Sequence, residues 1–477
     1  MRPSPDGLIL SATDVSNSLA CRQLTGLDMA AVLGTRKRPF RPDPLADILR
    51  ERGLAHEKAY VDWLTGQGRS VLNLRNAADP VAATLDAMRA GQDVIVQGSL
   101  RDGRWAGLPD VLLKIDRRGT WAWSYEAVDT KLAQETRGGT ILQLGLYSEL
   151  LHVAQGIQPE HFYVVTPRSG MAGEEYRTAD YAAYVRLIRA QLESTVAQGA
   201  DIVIASTYPE PVGHCDVCAW FAECDKKRRE DDHLSLVAGA SRSQRRELVE
   251  NGLTTLSRLA QCTGFTFKPK RGSAETLLRV RDQAKVQFAS RGLATPLHEL
   301  RPMAAGQGLQ RLPEPNPGDV FLDLEGDPFA VEGGREYLFG LVTVDASGAA
   351  HYRAWWAVTD AEEAEAFRSV IDLIEARRKE HPAMHVYHYA PYEPSAFGRL
   401  VGRHATRADE HDELLRGGHY IDLYGVVRQA LLAGVERYSI KNLEPLYGFT
   451  RAVPLESARF GLRAMERCLE TGVADIP

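Results

Sequence analysis

The sequence predicts an α/β protein made of two sheet-containing domains with a helical segment between them. Three observations carry that prediction. Short apolar strands and helical patterns occur together before residue 231 and again after residue 317. Residues 231–300 show helical spacing without strand alternation. Arg301–Pro317 (RPMAAGQGLQRLPEPNP) holds four prolines and two glycines, which is linker composition. The 477 residues exceed one ordinary domain. The expected divisions are 8–230, 231–300, the linker 301–317, and 318–477.

Composition bounds the class. Hydrophobic residues at 44% and charged residues at 25% are those of a soluble globular protein. No apolar run approaches the ~18 residues that span a membrane. The opening MRPSPDGLILSATDVSNS lacks a basic segment followed by an apolar core, so no signal peptide and a cytoplasmic location are expected. A net charge of −6 and a pI near 6.1 argue against a surface coated in nucleic acid. They leave room for a local basic channel, because phosphate binding follows charge distribution. No internal repeat or low-complexity tract is present.

In the first domain, Asp47–Leu64 reads as a helix carrying Arg52, His56 and Glu57. Val111–Ile115 is a short apolar run, Asp116–Gly119 is turn chemistry, and Trp121–Lys131 alternates. Together they read as a β-hairpin. Asp129 and Lys131 project from one face of its second strand, and Asp110 heads the first. Glu126 has the opposite parity to Asp129 and is left out of the site. A helix over Thr140–Val153 places Gln143 and Tyr147 one turn apart. Two carboxylates and an ammonium suit phosphodiester chemistry. Hard oxygen ligands hold a divalent cation that polarises the ester, and the lysine orients water or stabilises charge. The plain alternative is a surface hairpin with an Asp–Lys ion pair, worth little by itself.

The cysteines add a second pattern. Cys21 lies near the start, and Cys215, Cys218 and Cys224 form C-x2-C-x5-C. Six cysteines in a long chain without a secretion signal do not make a disulfide framework, whereas clustered ones bind metal. Four thiolates suit either a structural zinc or a [4Fe–4S] cluster. Cys262 and Cys468 stand alone and are expected to be buried thiols.

Taken together, His56 in GLAHEKAY, Pro109-Asp110, Asp129-Thr130-Lys131 and QLGLY (Gln143 to Tyr147) resemble the RecB-type branch of the PD-(D/E)XK nucleases. The one-plus-three cysteines resemble its iron–sulfur members, which include the nuclease of CRISPR adaptation and the AddB-type repair nucleases. The resemblance covers about residues 8–230. It implies a restriction-endonuclease-like fold in which His56, Asp110 and Asp129 hold Mg2+ or Mn2+, with the Thr130 carbonyl completing the shell. Lys131 is then the catalytic lysine, and Gln143 and Tyr147 help position DNA. The four cysteines would hold a [4Fe–4S] cluster that clamps the domain, with structural Zn2+ as the alternative.

Leu236–Ala260 resembles a helix-hairpin-helix, which offers backbone N–H groups to a DNA phosphate, with Arg242, Arg245 and Arg246 nearby. A plain helical linker reads equally well.

The last region opens with a strand, Val320–Glu325, carrying Asp323 and Glu325 on one face. Strands at Tyr337–Val344 and Tyr352–Val358, a helix at Asp360–Lys379 and a strand at His385–Tyr389 follow. This β-β-β-α-β order resembles a ribonuclease H-like fold of the DEDD exonuclease type. Asp323 and Glu325 match its first motif, Glu393 stands where the second has Asp, and Asp422 in YIDLY resembles the acid of a later strand. A third motif is expected beyond Glu466–Gly472, so this domain is expected to be truncated. RecB-like nucleases that pair these two domains often continue into a superfamily 1 helicase. No G-x-x-x-x-G-K-[ST] loop occurs here, so any helicase would be a separate partner.

The expected function is a Mg2+- or Mn2+-dependent (exo)deoxyribonuclease acting on single strands or DNA ends in repair or recombination. The alternative is a DNA-binding scaffold, or a non-catalytic remnant, that serves a separate helicase or nuclease.

Overall fold

The computed structural model describes residues 1–5, 7–41, 46–331 and 333–471. It divides into two compact units, Met1–Asp225 and Lys226–Pro477. Among the described residues no helix is long and apolar enough to cross a membrane.

Unit 1 begins with β1 (Arg2–Ser4), β2 (Gly7–Ser11), α1 (Ala12–Ala20), α2 (Arg22–Val32) and α3 (Ala46–Gly66). Then come β3 (Val71–Asn73), α4 (Pro80–Ala90), β4 (Val94–Val96), β5 (Leu100–Asp102), β6 (Trp105–Gly107), β7 (Val111–Ile115) and β8 (Ser124–Thr130). The unit closes with α5 (Gly138–Gln155), β9 (His161–Val165), β10 (Glu174–Arg177), α6 (Thr178–Ala197), α7 (Ala200–Ser206) and the first half of α8 (Phe221–Glu230), whose second half begins unit 2. A six-stranded mixed sheet has the order β10-β9-β8-β7-β4-β3, and a four-stranded sheet the order β1-β2-β6-β5.

Strand β8 is central, antiparallel to β7 and parallel to β9. Tyr125 and Ala127 point into the core that holds Leu142, Leu144, Leu146 and Leu150 of α5. Val128 points the other way, with Tyr60 and Leu64 of α3. The strand is therefore covered on both faces, and a polar side chain on it is cut off from water. At the end of β6, a Cβ on Gly107 would stand 2.8 Å from the Tyr147 ring and from Leu150. Glycine there lets α5 approach the sheet. The second hairpin strand starts at Ser124, later than the alternation from Trp121 suggests. Trp123 is drawn onto α4 instead, its indole donating to the Met88 carbonyl at 2.8 Å.

Unit 2 continues with α9 (Arg242–Glu250), α10 (Leu256–Gln261) and α11 (Ala274–Ala289), packed around Leu234, Leu248, Leu259 and Leu277. Ser241 and Gln244 form a capping box that starts α9. The next elements are β11 (His298–Leu300), β12 (Val320–Asp327), β13 (Arg335–Val344), β14 (Ala350–Trp356), α12 (Asp360–Glu380), β15 (Val386–His388) and α13 (Tyr392–His404). After them come α14 (Ala408–Arg416), β16 (Tyr420–Asp422), α15 (Leu423–Ala430), β17 (Leu431–Ala433), α16 (Ile440–Leu443) and α17 (Leu455–Thr471). Five strands form one sheet in the order β14-β13-β12-β15-β16, with β12 antiparallel to β13 and parallel to β15. Its core gathers Phe339, Phe367, Ile371 and Phe397.

Three features depart from the sequence reading. Residues 231–300 do contain a strand, because β11 pairs antiparallel with β17. The Gln283 amide on α11 also donates to the Ala433 carbonyl at 2.8 Å, so the helical segment is fastened to the last part of the chain. The proline-rich stretch is docked rather than loose: Arg301 N–H donates to Ala430 O at 2.7 Å, and Gly308 N–H to Gln429 Oε1 at 3.0 Å. Cys262, expected to be buried, is only half-buried and donates to the Gly264 carbonyl at 2.8 Å, whereas Cys468 is buried beside Tyr337 and Val358. The third acidic motif expected beyond Glu466–Gly472 falls past residue 471 and so lies outside the described residues.

Candidate active sites

The first site is built on the end of β8. Asp129 is fully buried there. Its Oδ1 accepts from Gln143 Nε2 at 3.2 Å, and Gln143 Nε2 also donates to Tyr147 OH at 2.9 Å. Tyr147 OH in turn donates to the Leu108 carbonyl at 3.1 Å, fixing α5 to the loop before Asp110. Lys131 Nζ pairs with Asp129 Oδ2. The buried Oδ2 has this ammonium as its partner and accepts no other hydrogen bond. Burial pushes the Asp129 carboxyl up to about 7; Lys131 pulls it back and neighbouring Asp110 adds to the rise. Burial likewise raises the Tyr147 phenol, so it stays a neutral donor.

Asp110 stands opposite. Its Oδ2 accepts from Thr130 N–H at 2.9 Å and Thr130 Oγ1 at 3.2 Å, and its Oδ1 lies 3.4 Å from Gln97 Nε2. Gln97 Nε2 also donates to Glu57 Oε1 at 3.0 Å, and Arg75 pairs with the same oxygen at 3.0 Å. Gln97 has the left-handed backbone conformation (φ 55°), which its N–H bond to the Asp110 carbonyl at 2.8 Å helps to hold. His56 lies on the other side of Lys131. Its Nε2 is 3.1 Å from the Val165 carbonyl, which also accepts Lys131 N–H at 2.9 Å.

The structure thus brings Asp110, Asp129, Lys131, Gln143 and Tyr147 into one bonded group, with His56 at its edge. Sequence reasoning missed Glu57 and Gln97. Their signal was present: Glu57 follows His56 on the same helix, and Gln97 is the polar residue that ends an apolar strand. Glu126 is engaged elsewhere, accepting from Glu160 and His161 N–H at 2.9 Å and from Tyr163 OH at 3.0 Å.

Three of the four clustered cysteines share one apolar pocket in unit 1. Cys21 joins α1 to α2 in extended backbone, and Cys215 lies in a 3-10 turn, Gly213–Asp216. Cys21, Cys218 and Cys224 pack against Leu24, Leu27 and Trp220. Burial raises the Cys218 thiol, with smaller contributions from Cys215 and Cys21 beside it. Trp220 Nε1 donates to buried Asp28 at 2.9 Å. Arg41 reaches the Cys215 and Cys218 carbonyls at 3.0 and 3.2 Å.

In unit 2, Asp323 and Glu325 project from β12 opposite to buried Leu322 and Leu324. Glu393, in the first turn of α13, is buried and its Oε2 has no hydrogen-bond partner. His388 Nδ1 lies 3.5 Å from that oxygen but is engaged by the Ala390 carbonyl at 2.6 Å. Asp323 is pushed up to about 6 by the protein packed around it and then by Glu325 and Glu393, while Lys441 of α16 pulls it down. Asp422 is held differently: its Oδ1 accepts from Ala390 N–H and Tyr424 N–H, both at 3.0 Å, and it caps α15. Beside these acids, a Cβ on Gly326 would stand 2.2 Å from Glu336 Oε2, so a side chain there would displace that carboxylate.

Among the described residues no group of three or more His, Cys, Asp or Glu side chains stands arranged to hold a metal ion. In unit 1 the reason is visible: His56, Asp110 and Asp129 are each engaged by protein groups.

Residues 320–462 match the family model RNase_H_2 of the RNase H superfamily. The stretch contains the whole five-stranded sheet, so the C-terminal region is a ribonuclease H-like domain. Such domains are typically metal-dependent nucleases that act on nucleic acid. No curated protein matches the chain.

Proposed function

We propose that the protein is a metal-dependent nuclease that hydrolyses phosphodiester bonds of DNA, at single strands or ends, with its principal centre at Asp110, Asp129 and Lys131. One observation carries this reading. Asp129 is fully buried beside a second carboxylate and an ammonium. Two acids gathered this closely at a buried site repel each other, which a bound divalent cation would relieve.

Mg2+ or Mn2+ held by Asp110 and Asp129, with His56 at the margin, would supply charge neutralisation and polarisation of the phosphate. Asp129 gives up the proton that its burial favours. Lys131, released from Asp129, directs its ammonium at a phosphate oxygen or at the attacking water. Gln143 and Tyr147 hold Asp129 in orientation, and the Arg75–Glu57–Gln97 chain does the same for Asp110.

Cys21, Cys215, Cys218 and Cys224 are read as ligands of a [4Fe–4S] cluster, with Zn2+ as the alternative. The reading is supported by three thiols packed against one apolar cluster and by the nearness of Cys215 and Cys21 to Cys218. The cluster's role would be structural. Asp323, Glu325 and Glu393 form a second acidic group, and a binding role for unit 2 is favoured by the engagement of Asp422 with two backbone N–H groups.

The test is cleavage of end-labelled single-stranded and duplex DNA by the full chain with Mg2+, Mn2+ or EDTA. Asp129→Asn and Lys131→Met should abolish metal-dependent cleavage without unfolding the protein. Cleavage that survives both but is lost in Asp323→Asn would move the centre to unit 2.

A further inference from the structure

In unit 2 the chain after β17 returns past the second acidic group. Leu443 and Leu446 pack into a small core with Tyr389 and Tyr438, which fixes the segment from α16 onward. Beyond that anchor, Tyr447 and Phe449 are left exposed, at 59% and 55% of their surface, with ring centroids 6.4 Å apart. Two large rings on the surface need a reason.

Their surroundings supply one. Burial raises the Tyr389 phenol, and Tyr424, Asp422, Tyr447 and Tyr438 near it add to the rise. Tyr424 stands edge-on to Tyr389 at 5.6 Å, and Arg428 lies over the Tyr424 ring at 5.3 Å. Lys441, on the same segment, acts on Asp323. Tyr389, Tyr424 and Arg428 thus gather beside Asp422, and β12 runs parallel to β15 with Phe321 opposite Tyr387, which sets Asp323 level with Tyr389. Rings with arginine occur at protein interfaces too, and what favours nucleic acid here is that these side chains belong to the ribonuclease H-like domain. Base stacking with phosphate neutralisation calls for this mixture.

We propose that Tyr447, Phe449 and Tyr424, with Arg428 and Lys441, form a stacking shelf that grips single-stranded DNA and leads it to Asp323 and Glu325. This rests on the reading of unit 2 as a nucleic-acid-binding domain. It adds which strand form is taken and which side chains take it. Duplex DNA keeps its bases stacked on one another, so exposed rings gain nothing from it.

The experiment is fluorescence anisotropy of the full chain, in EDTA, with labelled oligothymidylate and with its duplex. Tyr447→Ala and Phe449→Ala should each weaken single-strand binding by about 10-fold or more, leaving duplex binding unchanged. Tyr447→Phe should bind like the unaltered chain, since the ring face and not the hydroxyl makes the contact. Because both rings are exposed, melting temperatures should not move. Unchanged oligothymidylate affinity in the alanine variants, as expected for a protein-docking patch, overturns the proposal. Equal loss for single strand and duplex also overturns it, because that marks a general charge effect. If binding follows the rings but the unaltered chain cleaves no DNA with any metal, the nuclease reading fails and the shelf stands.

Discussion

Gln143 Nε2 stands 3.2 Å from Asp129 Oδ1 and is the hydrogen-bond donor that orients the buried carboxylate. It sits one helical turn before Tyr147, whose hydroxyl accepts its second N–H and passes a bond on to Leu108. The helix thereby sets the direction of a side chain on the sheet. Truncating Gln143 to alanine should lower cleavage by about 10–100-fold, the range for partners that orient a metal ligand. Tyr147→Phe should lower it less and cost about 1 kcal/mol of stability. Initial rates and urea unfolding of the two variants check this; equal rates in all three proteins would remove Gln143 from the site.

The pH dependence of the metal-free protein reports on Asp129. Its carboxyl, ordinarily near 3.8, is pushed up to about 7, mainly by burial. A raised carboxyl holds its proton more tightly in the folded state than in the unfolded one. Its contribution to stability is therefore full below the unfolded value and is lost as pH rises through the folded value. In EDTA, the melting temperature of the unaltered chain should fall relative to Asp129→Asn as pH rises from about 4 to about 7. Parallel curves for the two proteins would mean that Asp129 does not keep its proton.

Trp220 links the cysteine pocket to α2. Its indole bonds Asp28, which is buried, while its ring packs with Cys218 and Cys224. Trp220→Phe keeps most of the packing and removes the donor, leaving a buried carboxylate short of one bond. The expected loss is about 1–3 kcal/mol in denaturant unfolding. If the cysteines hold the proposed cluster, iron and sulfide content should drop with it. Full iron content at unchanged stability would separate the indole from the cysteine site.

Glu393 is buried with one oxygen unpaired, and it raises Asp323. Glu393→Gln removes a negative neighbour, so the Asp323 carboxyl should titrate below its present value of about 6, toward 3.8. Stability should not fall, because the replaced group was a poorly satisfied charge. A carbon-detected NMR titration of labelled aspartate measures the shift. An unmoved Asp323 would place Glu393 outside the second acidic group.

Much of this arrangement is legible in the chain. The hairpin around Asp116–Gly119, the parity that puts Asp129 with Lys131, the helix carrying Gln143 and Tyr147, and the strand order after Val320 all follow from local periodicity. Such patterns are fixed by side-chain spacing of two or 3.6 residues, which any single sequence displays. Tertiary structure decided what local pattern cannot encode. It made β8 a central strand covered on both faces, and so turned Asp129 from an ordinary surface acid into one titrating near 7. It joined Glu57 to Gln97 across 40 residues of chain and Gln97 to Asp110 across 13. It fastened the helical segment 231–300 to β17 and the linker 301–317 to α15 of the same unit. Burial, and the pairing of groups distant in sequence, depend on which elements cover which. That is a property of the packed chain, and no stretch of it carries that information alone.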